Sequence, residues 1–288
     1  MTWDIFASHY LRHYHKLIIY YLDTGFRIID FDNYLIYNEF RWWLHMKSKK
    51  ILIIIPAYNE EDNILNTYNG IIEFNKKNKT NYDAIVINDC STDNTKKILE
   101  DNNIPHIDLI HNLGIGGAVQ TGYKYAYKHD YDIAIQYDGD GQHDVLYVEK
   151  LIKPILDGKA DMTIGSRFID KDLDGFKSSA ARRIGIKTIS AFIKFASGKK
   201  IYDTTSGFRA VNKNIIHDFS LSYPIEYPEP ITNAEVLKKG YRVSEVPVVM
   251  KERGGGISSI RAWKNVYYML NVCLVLISIK MRRYKKCN

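Results

Sequence analysis

Short apolar runs alternate with stretches of helical periodicity from Ile51 to about Ser166. The runs are four to six residues long, as in strands buried on both faces, and they begin at Ile51, Ala84, Ile107, Ile133 and Met162. Behind a cap predicted at Asn59, apolar residues recur on one helical face at Ile64, Leu65, Tyr68, Ile71 and Ile72. Further helical patterns cover 118–128 and 145–156. This alternation predicts an α/β fold with a mainly parallel central sheet flanked by helices.

Polar segments follow four of the predicted strands. They are PAYNEE at 56–61, NDCSTDN at 88–94, HNLGIGG at 111–117 and DGDGQHD at 138–144. Because ligands of such sheets bind beyond the carboxyl ends of the strands, we expect these segments to form one site. After Arg167 the alternation loosens into a basic polar stretch, a helical pattern over 184–195 and the strand-like run YRVSEVPVVM. We expect this second half to elaborate the same domain.

The two ends of the chain depart from the pattern, so we predict three segments. Residues 1–49 are an aromatic-rich extension, 50–260 form the large domain, and 261–288 combine an apolar helix with a basic tail. The apolar run 266–279 would make a helix of about 21 Å, shorter than the roughly 30 Å hydrocarbon core of a bilayer. The run LIIYYL at Leu17 is also too short to span, and no small-residue cleavage site follows it, so we expect no signal peptide.

The net charge indicates which partners the protein binds, and the cysteine content indicates its cellular setting. The formal net charge of +7 favours an anionic partner, and much of the excess lies in KMRRYKK at 280–286, directly after the apolar helix. This arrangement suits a membrane interface, or packing on the domain, on a second copy or on a small membrane protein. We expect no nucleic acid, since basic and aromatic residues do not alternate. The three cysteines have no metal or disulfide spacing, which fits a cytosolic setting.

The segment YDGDGQHD at 137–144 places three aspartates directly after a buried strand. Two carboxylates about 4 Å apart repel by roughly 4 kcal/mol at an effective dielectric near 20, so water or a cation has to compensate them. Alternate side chains of an extended segment share a face, and Asp138 and Asp140 can therefore point to one spot, with Gln142 next. Such an oxygen-only set suits Mg²⁺ or Mn²⁺. The alternative is an acidic turn exposed to solvent.

Two nucleotide-binding motifs are excluded. The glycines of HNLGIGGAVQTG do not form a dinucleotide fingerprint, because Val119 stands where Gly or Ala is required and the loop does not follow the first strand. They predict a close approach of the backbone to a phosphate or a neighbouring loop, or a tight turn. No GxxxxGK[ST] segment is present, which excludes a P-loop nucleotidase.

Seven segments, in this order, resemble those of family 2 glycosyltransferases, in particular the branch of dolichyl- and polyprenyl-phosphate sugar transferases. The resemblance covers about 50–259 and rests on IPAYNEEDN at Ile55, INDCSTDNT at Ile87, NLGIGGAVQTGY at Asn112, QYDGDGQH at Gln136, IGSRF at Ile164, DTTSGFRA at Asp203 and EVPVVMKERGGGISS at Glu245. It implies a GT-A fold, an inverting transfer from a nucleotide sugar, and Mg²⁺ or Mn²⁺ on the diphosphate.

The same resemblance implies where the donor and the metal bind. The nucleotide would contact Pro56, Ala57, Tyr58, Glu60, Asp89 and Asp138, and the metal would contact Asp138, Asp140 and Gln142. Asp89 would accept a hydrogen bond from the base, whereas Asp93 is expected to cap a helix. Cys90 departs from the small residue, often Gly, that is common at this place, which questions the local turn geometry.

The resemblance also implies which arginines and acidic residues in the second half of the chain would contact the acceptor. An acceptor phosphate would contact Arg167, Arg182, Arg183 and Arg253, because guanidinium binds phosphate through two hydrogen bonds; solvated surface arginines are the alternative for Arg182 and Arg183. Arg209 serves either a structural ion pair or the diphosphate. The catalytic residues are predicted to be Asp140, Arg167 and Glu229. A lipid phosphate needs no general base, but a sugar hydroxyl does, and Glu226, Glu229 and Asp203 are the candidates.

The sequence therefore predicts a peripheral enzyme at the cytoplasmic face of the membrane. It would move a hexose or N-acetylhexosamine from a nucleotide sugar, most simply a UDP-sugar, to undecaprenyl phosphate. The alternative among enzymes is a cell-wall or capsular transferase that acts on a lipid-linked glycan with Glu229 as base. The alternative of another class is a nucleotide-sugar-binding scaffold without turnover.

Overall fold

A seven-stranded sheet lies at the centre of the described part of the chain, with the strand order β3-β2-β1-β4-β6-β5-β7. The computed structural model describes residues 49–170, 180–250 and 262–284. The strands are β1 (Ile51–Ala57), β2 (Asp83–Asn88), β3 (His106–Asp108), β4 (Ile133–Gln136), β5 (Met162–Ser166), β6 (Arg209–Asn212) and β7 (Val243–Pro247). All but β6 were predicted, to within a few residues at their ends.

Eight helices accompany the sheet in the described ranges. They are α1 (Ile64–Asn78), α2 (Thr95–Asp101), α3 (Gly114–Lys128), α4 (Val148–Leu156), α5 (Ala180–Ser197), α6 (Lys213–Leu221), α7 (Pro228–Lys238) and α8 (Ala262–Met281). A single 3₁₀ turn, Val145–Tyr147, precedes α4. The sequence did not predict α6 or α7. In the described segments, no helix combines the length and the apolar character needed to cross a bilayer.

The sheet is mainly parallel, as predicted. Strands β1 to β4 pair in parallel, and so do β5 and β7, whereas β6 runs antiparallel between β4 and β5. The parallel strands need helical crossovers, which explains why helices follow β1, β2, β3 and β5. The carboxyl ends of β1, β2 and β4 consequently lie at one edge of the sheet.

Both faces of the sheet are covered. All seven residues of β1 are buried, and alternate side chains serve opposite faces. Leu52 and Ile54 join the main apolar cluster with residues of α3 and α5 to α8, whereas Ile55 lies on the side of Ile64 in α1. A Cβ built on Gly122 of α3 would lie 2.2 Å from Ile54 Cγ2, so this glycine lets α3 pack directly on β1.

The predicted division into three segments remains a prediction. The extension 1–49 lies, apart from Lys49, outside the described residues. The C-terminal apolar helix exists as α8 and, at 20 residues, is longer than the apolar run that predicted it.

Candidate functional site

The loops after β1, β2 and β4 meet at the edge of the sheet where the site was predicted. Ala57 is paired with Asn88 across β1 and β2, and the N–H of Asp89 donates to the carbonyl of Ala57 at 2.8 Å. The loop after β4 is equally close, because a Cβ on Gly139 would lie 3.1 Å from the carbonyl oxygen of Pro56. Three of the four polar segments therefore form one surface.

Hydrogen bonds join the loops after β1 and β2 into one unit. The N–H of Asn59 donates to Ser91 Oγ at 3.0 Å, the N–H of Thr92 donates to Asn59 Oδ1 at 2.8 Å, and the N–H of Glu60 donates to Thr95 Oγ1 at 2.9 Å. Asn59 does not cap a helix as predicted: its φ is +55° and α1 begins only at Ile64. These hydrogen bonds hold the loop after β1 against the loop after β2.

Four of the predicted nucleotide residues lie at the end of β1 and in the loop that follows it. Pro56 and Ala57 are the buried last residues of β1, Tyr58 is 48% exposed beyond them, and Glu60 is half-buried. Their contact with a nucleotide stays a prediction.

Asp89 is buried and already binds the start of α3. Its Oδ1 accepts the N–H of Leu113 at 2.7 Å. Burial raises the pKa of Asp89, and the N–H groups of Leu113 and Gly114 offset this in part. Cys90 adopts φ +58°, a left-handed conformation that favours the glycine expected there. Any hydrogen bond from a base to Asp89 would share the carboxylate with α3.

Asp93 caps helix α2, as predicted. Its Oδ1 accepts the N–H of Thr95 at 2.9 Å and the hydroxyl of Thr95 at 2.6 Å. This acid serves the helix start and is not part of the predicted metal set.

Asp138 lies half-buried just after β4, with its carboxylate oriented by His143. His143 Nε2 is 3.0 Å from Asp138 Oδ2. Burial opposes ionisation of Asp138, but His143, Gln136 and the charge of Arg209 outweigh it, so the pKa of Asp138 lies below its ordinary value. Asp138 is therefore a carboxylate at neutral pH, which is the form that binds cations.

The imidazole that orients Asp138 is itself fixed by packing. His143 is buried, it stacks on Phe208 with ring centroids 4.8 Å apart, and its carbonyl accepts the hydroxyl of Tyr137 at 2.6 Å. Gly207 lies against the other side of the carboxylate, where an added Cβ would be 2.6 Å from Asp138 Oδ2. Neither His143 nor Gly207 was assigned a role from the sequence. The only signal for them was their position inside the segments QYDGDGQH and DTTSGFRA.

Asp140 and Gln142 continue the predicted metal set on the same segment. The carboxylate of Asp140 is half-buried, and its Oδ1 accepts the N–H of Gln142 at 3.1 Å. Gly141 between them has φ +74°, which permits the sharp turn. Two carboxylates and an amide oxygen on five residues fit Mg²⁺ or Mn²⁺. Asp144 instead accepts the N–H of Leu146 at 3.0 Å and caps the 3₁₀ turn.

Glu229 is brought to the same region by α7. Pro228 is the first residue of α7, and Glu229 stands in its first turn. Burial raises the pKa of Glu229, with Arg209 opposing and Asp138 adding to the rise. These electrostatic interactions tie the predicted base to Asp138 and to Arg209.

Arg209 is fully buried at the start of β6. Its Nη1 donates to Thr232 Oγ1 at 2.7 Å and its Nη2 donates to the carbonyl of Ser206 at 2.9 Å. Arg209 Nε and both amide atoms of the buried Asn233 have no hydrogen-bond partner among the described residues. Buried polar atoms of this kind are usually satisfied by water or a ligand.

Arg167 lies in a buried ion pair rather than in open solvent. Its Nε donates to Asp203 Oδ2 at 2.7 Å and its Nη2 donates to Asp203 Oδ1 at 2.8 Å. Both carboxylate oxygens of Asp203 thus accept hydrogen bonds from Arg167. The predicted contact of Arg167 with an acceptor phosphate stays a prediction, and the phosphate would share the guanidinium with Asp203.

The remaining acceptor residues are described only in part. Arg183 is exposed near the start of α5, Arg182 is described by its backbone alone, and Arg253 lies outside the described residues. Glu226 is exposed in the segment before α7.

A second acidic group lies beside β3. One ligand atom each from Glu100, His106 and Asp108 lie within 4.8 Å of one another in the described part of the chain. Lys96 Nζ is 3.7 Å from Glu100 and 2.9 Å from Asp108. Because a lysine already balances this charge, the group is a weaker metal candidate than the segment after β4.

Residues 52–219 match the family model described as Glycosyl transferase family 2. The UDP-N-acetylglucosamine–dolichyl-phosphate N-acetylglucosaminyltransferase of Methanococcus voltae is 32% identical over 70% of this chain and 86% of its own. The polyprenol monophosphomannose synthase of Mycolicibacterium smegmatis is 25% identical over 74% of this chain and 82% of its own.

A solved structure supplies a comparison of folds. The glucosyl-3-phosphoglycerate synthase of Mycobacterium tuberculosis, in complex with Mn²⁺, UDP-glucose and phosphoglyceric acid, aligns over 84% of each chain with a TM-score of 0.64. At 15% sequence identity the likeness is one of fold. The predicted GT-A fold is thereby confirmed.

Proposed function

Since this chain belongs to glycosyl transferase family 2, we propose that it transfers a sugar from a nucleotide sugar to a polyprenyl phosphate, with inversion at the anomeric carbon. The proposed donor is a UDP-hexose or a UDP-N-acetylhexosamine, and the proposed location is the cytoplasmic face of the membrane. The names of the relatives from Methanococcus voltae and Mycolicibacterium smegmatis support the acceptor class.

The observation that carries the proposal is the setting of Asp138. Its carboxylate is ionised, oriented by His143 and placed beside Asp140 at the carboxyl end of β4. The loops proposed to bind the nucleotide pack against the same segment. This geometry suits a bound diphosphate better than a purely structural turn, because a structural turn would not need a buried imidazole to align a carboxylate.

Asp138, Asp140 and Gln142 would hold Mg²⁺ or Mn²⁺, which, when bound, relieves the negative charge of the departing diphosphate. The protein's own residues align the reactants. His143 and Gly207 keep the Asp138 carboxylate in place, and Pro56 to Glu60 with Asp89 would bind the nucleoside.

The acceptor phosphate would be held by arginines. A phosphate monoester is an anion near pH 7 and attacks without a general base, so the protein has to position it against the repulsion of the donor diphosphate. We propose Arg167, Arg182, Arg183 and Arg253 for this task. Arg183 is exposed and accessible to a ligand, whereas Arg167 would act together with Asp203.

The test is a transfer assay with the purified full chain. Mg²⁺ or Mn²⁺, a panel of labelled nucleotide sugars and undecaprenyl phosphate should yield a chloroform-extractable labelled product. Asp140→Asn should lower the rate about 100-fold or more, as expected for removing one electrostatic partner of the leaving group. Asp144→Asn is the matched control, because asparagine retains the oxygen that caps the 3₁₀ turn. Label recovered only in water-soluble saccharides would contradict the lipid acceptor.

Glu229 favours a second candidate, in which the acceptor is the hydroxyl of a lipid-linked glycan. The pKa of Glu229 is raised by burial, and the residue interacts with Asp138, so it could take a proton beside the donor. Under this alternative, Glu229→Gln abolishes turnover while metal-dependent UDP binding, measured by calorimetry, is unchanged. Under the lipid-phosphate proposal, the Glu229→Gln variant still transfers the sugar to undecaprenyl phosphate.

A further inference from the structure

Helices α5 and α8 lie side by side and run in the same direction. Near their starts, a Cβ on Gly185 would lie 3.5 Å from Met269 Sδ, and near their ends, Lys280 Nζ lies 5.4 Å from the ring centroid of Phe195. Contacts that follow the same order along both helices require a parallel arrangement. The two helices therefore present a common outer surface.

Helix α8 carries an apolar stripe that is exposed in the described part of the chain. The stripe consists of Tyr267, Leu270, Leu274, Ile277 and Met281. Spacings of three and four residues place these side chains on one helical face, and four of the five are more than 60% exposed. The opposite face contributes the fully buried Val272, Leu276 and Ile279 to the core. Helix α8 is thus apolar on two faces, and one of them packs in the described core.

Helix α5 extends this surface with both apolar and basic residues. Ile184 and Phe195 are exposed, at 66% and 57%. Arg183, Lys187 and Lys194 are exposed at helical spacing from them. Apolar side chains flanked by long basic ones are typical of a helix that lies in the plane of a membrane interface.

The charge of the two helical segments is of one sign. Residues 180–200 and 262–288 together contain twelve basic residues and no acidic residue. Since the whole chain has a net charge of +7, the remainder is net negative. Arg282 is directed toward Glu235, at 4.0 Å, and is left out of the surface. Among the described basic residues, Arg183, Lys187, Lys194 and Lys280 are exposed on the same two helices as the apolar stripe.

We propose that the joint outer face of α5 and α8 is the surface by which this protein binds an anionic lipid bilayer. The stripe of α8, with Ile184 and Phe195, enters the headgroup boundary, while Lys187 and Lys194 contact the negative headgroups. A second copy of the chain fits less well, because a symmetric contact would bring two sets of basic residues together.

The role of this surface in catalysis rests on the proposed function, because a membrane-embedded acceptor requires the enzyme to bind the membrane. Arg182 and Arg183, proposed to contact the acceptor phosphate, stand at the start of α5, and the lipid surface continues along the same helix. The helix would thus deliver the headgroup of a membrane-embedded acceptor to the site. Lipid binding itself is measured without any sugar donor.

The experiment is cosedimentation of the full chain with vesicles, without nucleotide or metal. We expect binding to phosphatidylcholine vesicles that contain a quarter of phosphatidylglycerol, and at least 10-fold weaker binding to phosphatidylcholine alone. Leu274→Glu should weaken binding to the anionic vesicles at least 10-fold. Leu221→Glu is the matched control, because Leu221 is equally exposed but lies at the end of α6. Circular dichroism verifies that both variants are folded.

A second pair of variants tests the charge. Lys187→Gln with Lys194→Gln should weaken binding to anionic vesicles, whereas Lys76→Gln with Lys77→Gln, exposed in the last turn of α1, should not. Equal binding of the Leu274→Glu variant and the unchanged chain would overturn the proposal. A dimer in analytical ultracentrifugation that Leu274→Glu dissociates, together with no vesicle binding, would assign the face to self-association instead.

The same variants separate this inference from the proposed function. With a short-chain polyprenyl phosphate in detergent, Leu274→Glu should retain the turnover of the unchanged chain, and with the acceptor in vesicles it should lose it. Vesicle binding with the expected pattern but no transfer in either format would leave the lipid surface standing and refute the proposed function.

Discussion

The carboxylate of Asp138 is aligned by contacts from the segment just before β6 and from its own loop. His143 binds one oxygen, and Phe208 packs against the imidazole. Gly207 leaves room for the carboxylate where any side chain would collide with it. Orientation of this kind lowers the reorganisation needed when a cation binds, as it does for the outer partners of metal ligands in general.

Gly207→Ala tests this alignment. The new methyl group would lie 2.6 Å from Asp138 Oδ2 and 2.9 Å from Oδ1, so the carboxylate has to move. We expect the Mn²⁺ affinity, measured by electron paramagnetic resonance titration, to fall about 10-fold or more, as for other residues behind metal ligands. Gly70→Ala is the control, since no atom lies within 4 Å of its added Cβ. Equal Mn²⁺ affinities for Gly207→Ala and Gly70→Ala would contradict the role given to Asp138.

Single residues were predicted well where their role depends on local sequence and poorly where it depends on a distant partner. Asp93 caps α2 as expected, through Thr95, two residues away. Asn59 was assigned to a helix cap, but its side chain binds the N–H of Thr92, 33 residues away. The Arg167–Asp203 pair joins two motifs 36 residues apart that were given separate roles. One sequence does not reveal such pairings.

Strand β6 and helix α7 were not predicted from the sequence, because neither shows the hydrophobic pattern typical of a strand or a helix. Strand β6 has four residues and begins with a charged residue, Arg209, whose burial depends on Thr232. Helix α7 is buried nearly all round, so it lacks a polar face and with it the 3.6-residue period. Its two early prolines are typical of a loop. Pro228 is nevertheless tolerated at the first helical position, because the N–H that proline lacks would have no partner within the helix.

One carboxylate connects the strands of the second half. Asp161, just before β5, accepts hydrogen bonds from Arg242 Nε at 3.0 Å and Nη2 at 2.9 Å, and from Asn212 Nδ2 at 3.1 Å. The hydrogen bond and charge of Arg242 hold the pKa of Asp161 below its ordinary value of 3.8, against the effect of burial. These contacts tie together the ends of β5, β6 and β7.

Asp161→Asn should lower the free energy of unfolding at pH 7 by about 1 to 2 kcal/mol, since Arg242 is half-exposed and solvent screens the pair. The ion pair stabilises the fold fully above the unfolded pKa near 3.8, and this stabilisation is lost as the pH falls through the lower folded pKa. Urea denaturation should therefore show a constant difference between pH 7 and about 5 that shrinks below about pH 4. A difference that grows toward acid pH would contradict the pairing.

At the scale of the whole molecule, the sheet brings the residues proposed to bind the donor and the metal to one edge. The alternation of runs and helices predicted this edge correctly, because the topology of parallel strands places the carboxyl ends of β1, β2 and β4 together. The partners that reach it from the second half, Arg209 on β6 and Glu229 on α7, depend on chain pairings that periodicity does not encode. The fold was thus more predictable from the sequence than the contacts that Arg209 and Glu229 make.

The claim on which the whole account depends is that the segment after β4 binds a divalent cation. The most direct measurement is anomalous diffraction at the manganese edge from crystals soaked with MnCl₂ and UDP. We expect a peak about 2.1 Å from carboxylate oxygens of Asp138 or Asp140, the usual distance for a small hard cation. A peak at Glu100, His106 and Asp108 instead, with none between Asp138 and Gln142, would contradict the account.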